Sequence, residues 1–198
     1  MKDDNALAEA DAAATPLSPE ERLGLIPTFI TTRDALNEAE QLNILEAETW
    51  AARRRPDVLD IAMMRRLHRQ MFGLVWRRAG NWTTQHSRRI GVDYFQVEPE
   101  LKTLIETVAF WIEHQTFPPD EIAARFHHRL TWIHPFPNGN GRFARLATDL
   151  LLLKLGRARF TWGGQVTAEP TRVRATYMSA LRSADAHDFA PLLAFARS

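Results

Sequence analysis

Within the twelve positions from His134 to Arg145, the run His134-Pro135-Phe136-Pro137-Asn138-Gly139-Asn140-Gly141-Arg142 combines a titratable imidazole, a glycine-rich turn and two arginines. From Phe143 to Leu155 the apolar residues Phe143, Leu146, Ala147, Leu150, Leu151 and Leu153 recur at helical spacing, and Gly156 stands where a left-handed C-cap residue belongs. A buried helix is therefore expected to begin near residues 138–141. The first N–H groups of a helix lack internal partners and lie at the positive end of its dipole, so an anion such as a nucleotide polyphosphate can bind them directly. Gly139 and Gly141 let such a ligand approach the main chain without meeting a side chain. Arg142 and Arg145 are three apart, hence on one helical face, where two guanidinium groups can grip phosphate oxygens. His134 can then act as a general base toward a hydroxyl aligned on phosphorus.

Asn-Gly and Gly-rich stretches are also ordinary turn chemistry, and a short Gly-Asn-Gly match alone specifies little. The full string is more specific. His134, Phe136, Gly139, Asn140, Gly141, Arg142 and Arg145 all fit the pattern His-x-Phe-x-x-Gly-Asn-Gly-Arg-x-x-Arg, which resembles the signature of the Fic (Fic/Doc) family. The resemblance extends over roughly residues 31–195. It implies an all-α, Fic-like helical domain with a small β-hairpin flap, and protein adenylylation (AMPylation): transfer of AMP from ATP, with Mg²⁺, to a Ser, Thr or Tyr hydroxyl of a target protein. It further implies His134 as the base, Gly139, Asn140 and Gly141 as the phosphate cradle, Arg142 on the β-phosphate and Arg145 on the γ-phosphate, with Phe136 as a packing anchor. One position departs from the pattern: where the family usually has Asp or Glu to help hold the metal, this chain has Asn138. An amide carbonyl is a weaker ligand for a hard cation, so Asn138 stands as a metal ligand or a helix cap. Two other readings stay open: transfer of a different phosphate-containing group, as in the Doc branch, and a weakly active nucleotide-binding regulatory partner.

The rest of the chain must position these groups. A length of 198 residues with 45% apolar and 25% charged residues suits one sizeable core, and a net charge of +1 offers no electrostatic reason to expect nucleic acid. Arg53-Arg54-Arg55 reads as a solvated helix end. Without cysteine there is neither a disulfide framework nor a thiolate metal site. No secretory signal or bilayer-length apolar run is evident, so the expectation is a cytoplasmic protein with a protein substrate, no membrane, and room for a regulatory or antitoxin partner.

Three regions are expected: a flexible tail over 1–19, a helical extension over 20–55 and the Fic-like catalytic domain over 56–198. In the extension, Thr31-Thr32 caps a helix to about Ala52, with Leu36, Asn43, Ala47 and Trp50 near one face. Many Fic proteins carry an inhibitory Ser/Thr-x-x-x-Glu-Gly/Asn motif there. Thr32, Leu36 and Asn37 fill that frame, but leucine cannot form the ion pair, so self-inhibition is not expected unless Glu38 or Glu40 substitutes. A second helix is expected over Asp57–Met71, with a stripe of Leu59, Met63, Leu67 and Met71, and a turn at Gly80-Asn81. Residues 88–97, with Ile90, Val92, Tyr94, Phe95 and Val97, form the β-prone stretch, and by position resemble the flap, whose target-binding residues would be Arg89, Ile90, Gly91 and Val92. Further helices are expected from Glu98-Pro99, over Asp120–Ile133, over Thr171–Ala184 and over Asp188–Phe195. Adjacent His127 and His128 diverge around their helix, so structural hydrogen bonding suits them better than a shared metal.

Overall fold

A computed structural model describes residues 17–84, 91–165 and 169–198; the expected tail up to residue 16 lies outside them. The described chain is helical: α1 (Pro19–Gly24), α2 (Arg33–Arg54), α3 (Ile61–Phe72), α4 (Val97–Glu113), α5 (Pro119–Ile133), α6 (Asn140–Lys154), α7 (Pro170–Asp185) and α8 (Ala190–Arg197). The chain divides into two units, one of residues up to Arg54 with Arg65–Asn81, the other of Arg55–Met64 with Trp82–Ser198. None of the described helices is long and apolar enough to cross a membrane.

In the first unit, Leu17, Leu25, Ile30, Leu36 and Val75 form the core. Thr32 Oγ1 accepts the Ala35 N–H at 3.4 Å and starts α2, as its position suggests. Leu36, Asn43 and Ala47 are buried. Asn43 donates to the Gln70 carbonyl at 2.9 Å and accepts the Leu74 N–H at 3.0 Å, which closes the end of α3. Glu40, only 3% exposed, accepts the Trp76 indole N–H at 2.7 Å, so its carboxylate is engaged inside its own unit. The exposed run Arg53-Arg54-Arg55 does end α2. Helix α3 starts at Ile61, not Asp57: Asp57 Oδ1 accepts the Leu59 N–H at 3.0 Å in a local turn, and Asp60 Oδ1 accepts the Met63 N–H at 2.6 Å. Short acidic side chains compete with the helix for backbone donors, and here the second one sets the start.

In the second unit, α4, α5 and α6 follow one another through short connections, and α5 packs on α6. Small residues allow α8 to approach closely. Ala124, Ala180 and Ala184 share a cluster with Phe189, Leu192 and Phe195, and Ala123 and Ala196 share another with Leu152 and Phe160. Arg197 fastens the end of α8 to the start of α5, meeting Asp120 through Nε at 2.8 Å and Nη2 at 2.7 Å. Asp149, on α6, accepts the Phe160 N–H at 3.2 Å and the Trp162 indole N–H at 3.1 Å.

The expected hairpin is not seen in its described part. Arg89 and Ile90 lie outside the described residues, and residues 91–97 run as a bend, a 3₁₀ turn over Tyr94–Gln96 and the first residue of α4. Val92 and Val97 are buried while Tyr94 and Phe95 are 44% and 57% exposed, a spacing that no alternating strand produces.

Candidate active site

Helix α5 ends at Ile133, and His134 is its C-cap residue in a left-handed conformation, φ 55°, ψ 57°. Such a conformation is uncommon for a residue with a side chain, and it turns the chain sharply out of the helix. Two neighbouring segments secure the turn: the Val92 N–H donates to the Ile133 carbonyl at 3.2 Å, and the Thr83 N–H donates to the Pro135 carbonyl at 2.8 Å. Gly91, at φ +99°, lies so close that a Cβ there would come within 2.7 Å of the His134 Cβ. Gly91 is thus required by the placement of His134, whatever else it contacts.

His134 Nδ1 lies 3.4 Å from the Thr131 carbonyl oxygen. That contact suits an Nδ1–H donor, which leaves the Nε2 lone pair as the basic position. Burial pushes the imidazole below its usual value of 6.5, with the Thr131 carbonyl opposing. Burial therefore favours the neutral ring over the imidazolium.

Phe136 is 1% exposed and packs between Trp82 and Phe143, each with ring centroids 4.9 Å away, in keeping with an anchor. The Asn140 side chain belongs to its own loop. It is 3% exposed and turned inward, Oδ1 accepting the Phe136 N–H at 2.9 Å and Nδ2 donating to the Phe136 carbonyl at 2.7 Å. This clamp closes the loop 136–140 on itself, so Asn140 can offer a ligand its main chain only.

Gly139, at φ 69°, occupies the N-cap position of α6, one residue after Asn138. A Cβ at Gly141 would meet nothing within 4 Å, so space lies open beside the first turn. Arg142 and Arg145 are partly buried. Arg145 Nε lies 3.4 Å from the Gly141 carbonyl, and its Cζ stands 5.9 Å from the centre of the Tyr177 ring. No group of three or more His, Asp or Glu side chains suited to a metal occurs among the described residues. With an amide at position 138, these residues do not form a protein-built divalent cation site of the carboxylate kind.

His127 and His128 are structural, as their adjacency suggests. His128 Nε2 meets Asp185 at 2.8 Å. His127 is fully buried, with Nε2 2.8 Å from the Tyr177 hydroxyl and Nδ1 3.3 Å from Thr148 Oγ1. Sequence reasoning did not pair these histidines with Tyr177 and Thr148, and nothing in periodicity joins residues 127 and 177.

Residues 58–152 match the Fic/DOC family model. The protein adenylyltransferase Fic of Drosophila sechellia is 30% identical over 132 residues, which is 65% of this chain and 25% of that protein. The chain thus spans about a quarter of the length of that curated relative. Among solved structures, Fic-1 from Caenorhabditis elegans superposes with a TM-score of 0.64 at 25% identity, covering 82% of this chain and 48% of the other. BepC, a VirB-translocated effector from Bartonella tribocorum solved with bound AMPPNP, gives 0.63 at 19% identity over 82% and 84%, a likeness of fold.

Proposed function

We propose that this chain, whose residues 58–152 are a Fic/DOC family domain, is a protein adenylyltransferase that moves AMP from ATP to a Ser, Thr or Tyr hydroxyl of another protein. The observation that carries the reading is local. A neutral imidazole with its Nε2 lone pair available precedes, by one clamped loop, a helix start with open space at Gly141 and two arginines on its first turns. The naming of the curated relatives as adenylyltransferases and the AMPPNP held by BepC support it.

In this reading the triphosphate lies against the main chain of residues 139–141, where N–H groups and the helix dipole favour anions. His134 Nε2 takes the proton of the incoming hydroxyl as its oxygen bonds to the α-phosphorus, and the bond to pyrophosphate breaks. Arg142 and Arg145 take up the charge that grows on the departing β- and γ-phosphates. Mg²⁺, which the family implies, would come as part of the nucleotide substrate, with the Asn138 amide carbonyl as the side-chain oxygen nearest in sequence to the cradle. The flap role of residues 89–92 belongs to the same proposal, with Gly91 and Val92 also buttressing the His134 turn. A second reading, nucleotide binding with little turnover, is favoured by the amide at 138.

Incubation with α-labelled and γ-labelled ATP in separate reactions tests the proposal, using the protein itself and a cell extract as acceptors. Label from the α position alone, absent with His134→Ala, is the expected result. Label from γ alone would mean phosphate transfer, and nucleotide binding without either label would leave only the second reading.

A further inference from the structure

Arg145 differs from several arginines of its unit. Arg125, Arg129, Arg157 and Arg197 each pair with a carboxylate, at 2.7, 2.6, 3.3 and 2.7 Å. Arg145 has no carboxylate partner among the described residues; it has the long contact to the Gly141 carbonyl and the face of Tyr177. A long side chain so lightly held loses orientational freedom when it binds a phosphate, unless something fixes it beforehand.

Tyr177 is itself fixed from behind, and the direction of each bond can be assigned. Thr148 Oγ1 donates its one proton to the Ala144 carbonyl at 2.7 Å, so it can only accept from His127 Nδ1–H. His127 Nε2 then carries a lone pair, and the Tyr177 hydroxyl donates to it at 2.8 Å. Full burial pushes His127 down to about 3, which keeps that lone pair free of a proton. Burial likewise pushes Tyr177 up to about 12, against the nearby Arg145 and Arg174 charges, so the hydroxyl remains a donor. The line Ala144–Thr148–His127–Tyr177 therefore runs through helices α6, α5 and α7 and ends on the ring that Arg145 faces.

We propose that Tyr177, braced by His127 and Thr148, is a positioning residue that holds Arg145 oriented for the distal phosphate and so makes the site prefer ATP to ADP and AMP. The inference rests on the γ-phosphate reading of Arg145. It is tested by equilibrium binding of ATP, ADP and AMP to the parent, Tyr177→Leu, Arg145→Ala and the double variant. The expected result for Tyr177→Leu is about a tenfold loss for ATP, little change for AMP, and a double variant no weaker than Arg145→Ala. Equal losses for all three nucleotides, or additive losses in the double variant, would overturn it. Tyr177→Phe keeps the ring and removes only the bond to His127, which guards against a folding defect. It should lose about threefold for ATP and nothing for AMP, and parity with the parent for ATP would remove the brace from the proposal. A parent that binds no ATP at all would instead sink the functional reading.

Discussion

At the scale of single residues, the site depends on two facts about protonation and space. Because burial lowers His134, its neutral form persists below the usual value of 6.5, and activity should fall only as pH drops through that lowered value. The acid limb of kcat/KM against pH is thus expected below pH 6.5; a midpoint above it would exclude His134 as the base. Replacing His134 with Ala should cost about 100- to 10,000-fold in AMP transfer, the usual range for a general base, while ATP affinity stays near that of the parent. Gly141 yields a different separation. Since a Cβ there meets nothing, Gly141→Ala should leave stability unchanged or raise it by up to about 1 kcal/mol, yet intrude on the space where phosphate would lie. Unfolding and ATP titration of the same sample check both halves, and undiminished affinity would move the ligand away from this turn. Asn138→Asp restores a carboxylate at the departing position; if metal limits the reaction, half-maximal activity should need less Mg²⁺. An unchanged Mg²⁺ titration would assign Asn138 some other role.

At the scale of elements, one buried amide closes the loop between α5 and α6 on itself. Asn140→Ala would remove both of its hydrogen bonds to the Phe136 main chain, at a cost of about 1–3 kcal/mol. Asn140→Asp should be at least as damaging, because it sets a carboxylate oxygen against the Phe136 carbonyl. Urea unfolding checks both, and a loss below about 0.5 kcal/mol, the low end for one net hydrogen bond, would show that the clamp matters little. The role of Asn140 also marks where the sequence stopped being legible. Its place between two glycines suggested contact with an anion, but whether a side chain faces a ligand or its own loop depends on the path of the chain. The helices were readable because each buries a stripe at a period near 3.6, as α6 does with Phe143, Leu146, Ala147, Leu150 and Leu151. Residues 91–97 misled for the opposite reason. Their β-branched and aromatic types favour strands only when a neighbouring strand or a half-buried face receives them, and here Tyr94 and Phe95 are exposed. The long-range bonds from His127 to Tyr177 and from Asp120 to Arg197 lie 50 and 77 positions apart, beyond the reach of any local pattern.

At the scale of the whole molecule, buried histidines tie folding to pH. His127 is pushed from 6.5 to about 3 by burial, and His134 is lowered in the same direction. Between those values the unfolded chain holds protons that the folded one does not, so the folded state loses stability as pH falls from about 6.5. Each such proton is worth up to about 1.4 kcal/mol per pH unit within the window. Asp120 acts with the same sign but in a lower range. Its hydrogen bonds from Arg197 hold the carboxyl below 3.8, so its contribution is intact above that value and is lost only under stronger acid. Because the carboxylate acts only at lower pH, denaturant midpoints measured from pH 7 down to pH 4.5 should report the histidines and should fall steadily. His127→Gln isolates the contribution of His127, since glutamine can accept from Tyr177 and donate to Thr148 without ever taking a charge. Its midpoints should fall less steeply than the parent's over the same range. A slope as steep as the parent's would mean that His127 escapes its buried environment on acidification, and the rigid brace behind Tyr177 would have to be abandoned with it.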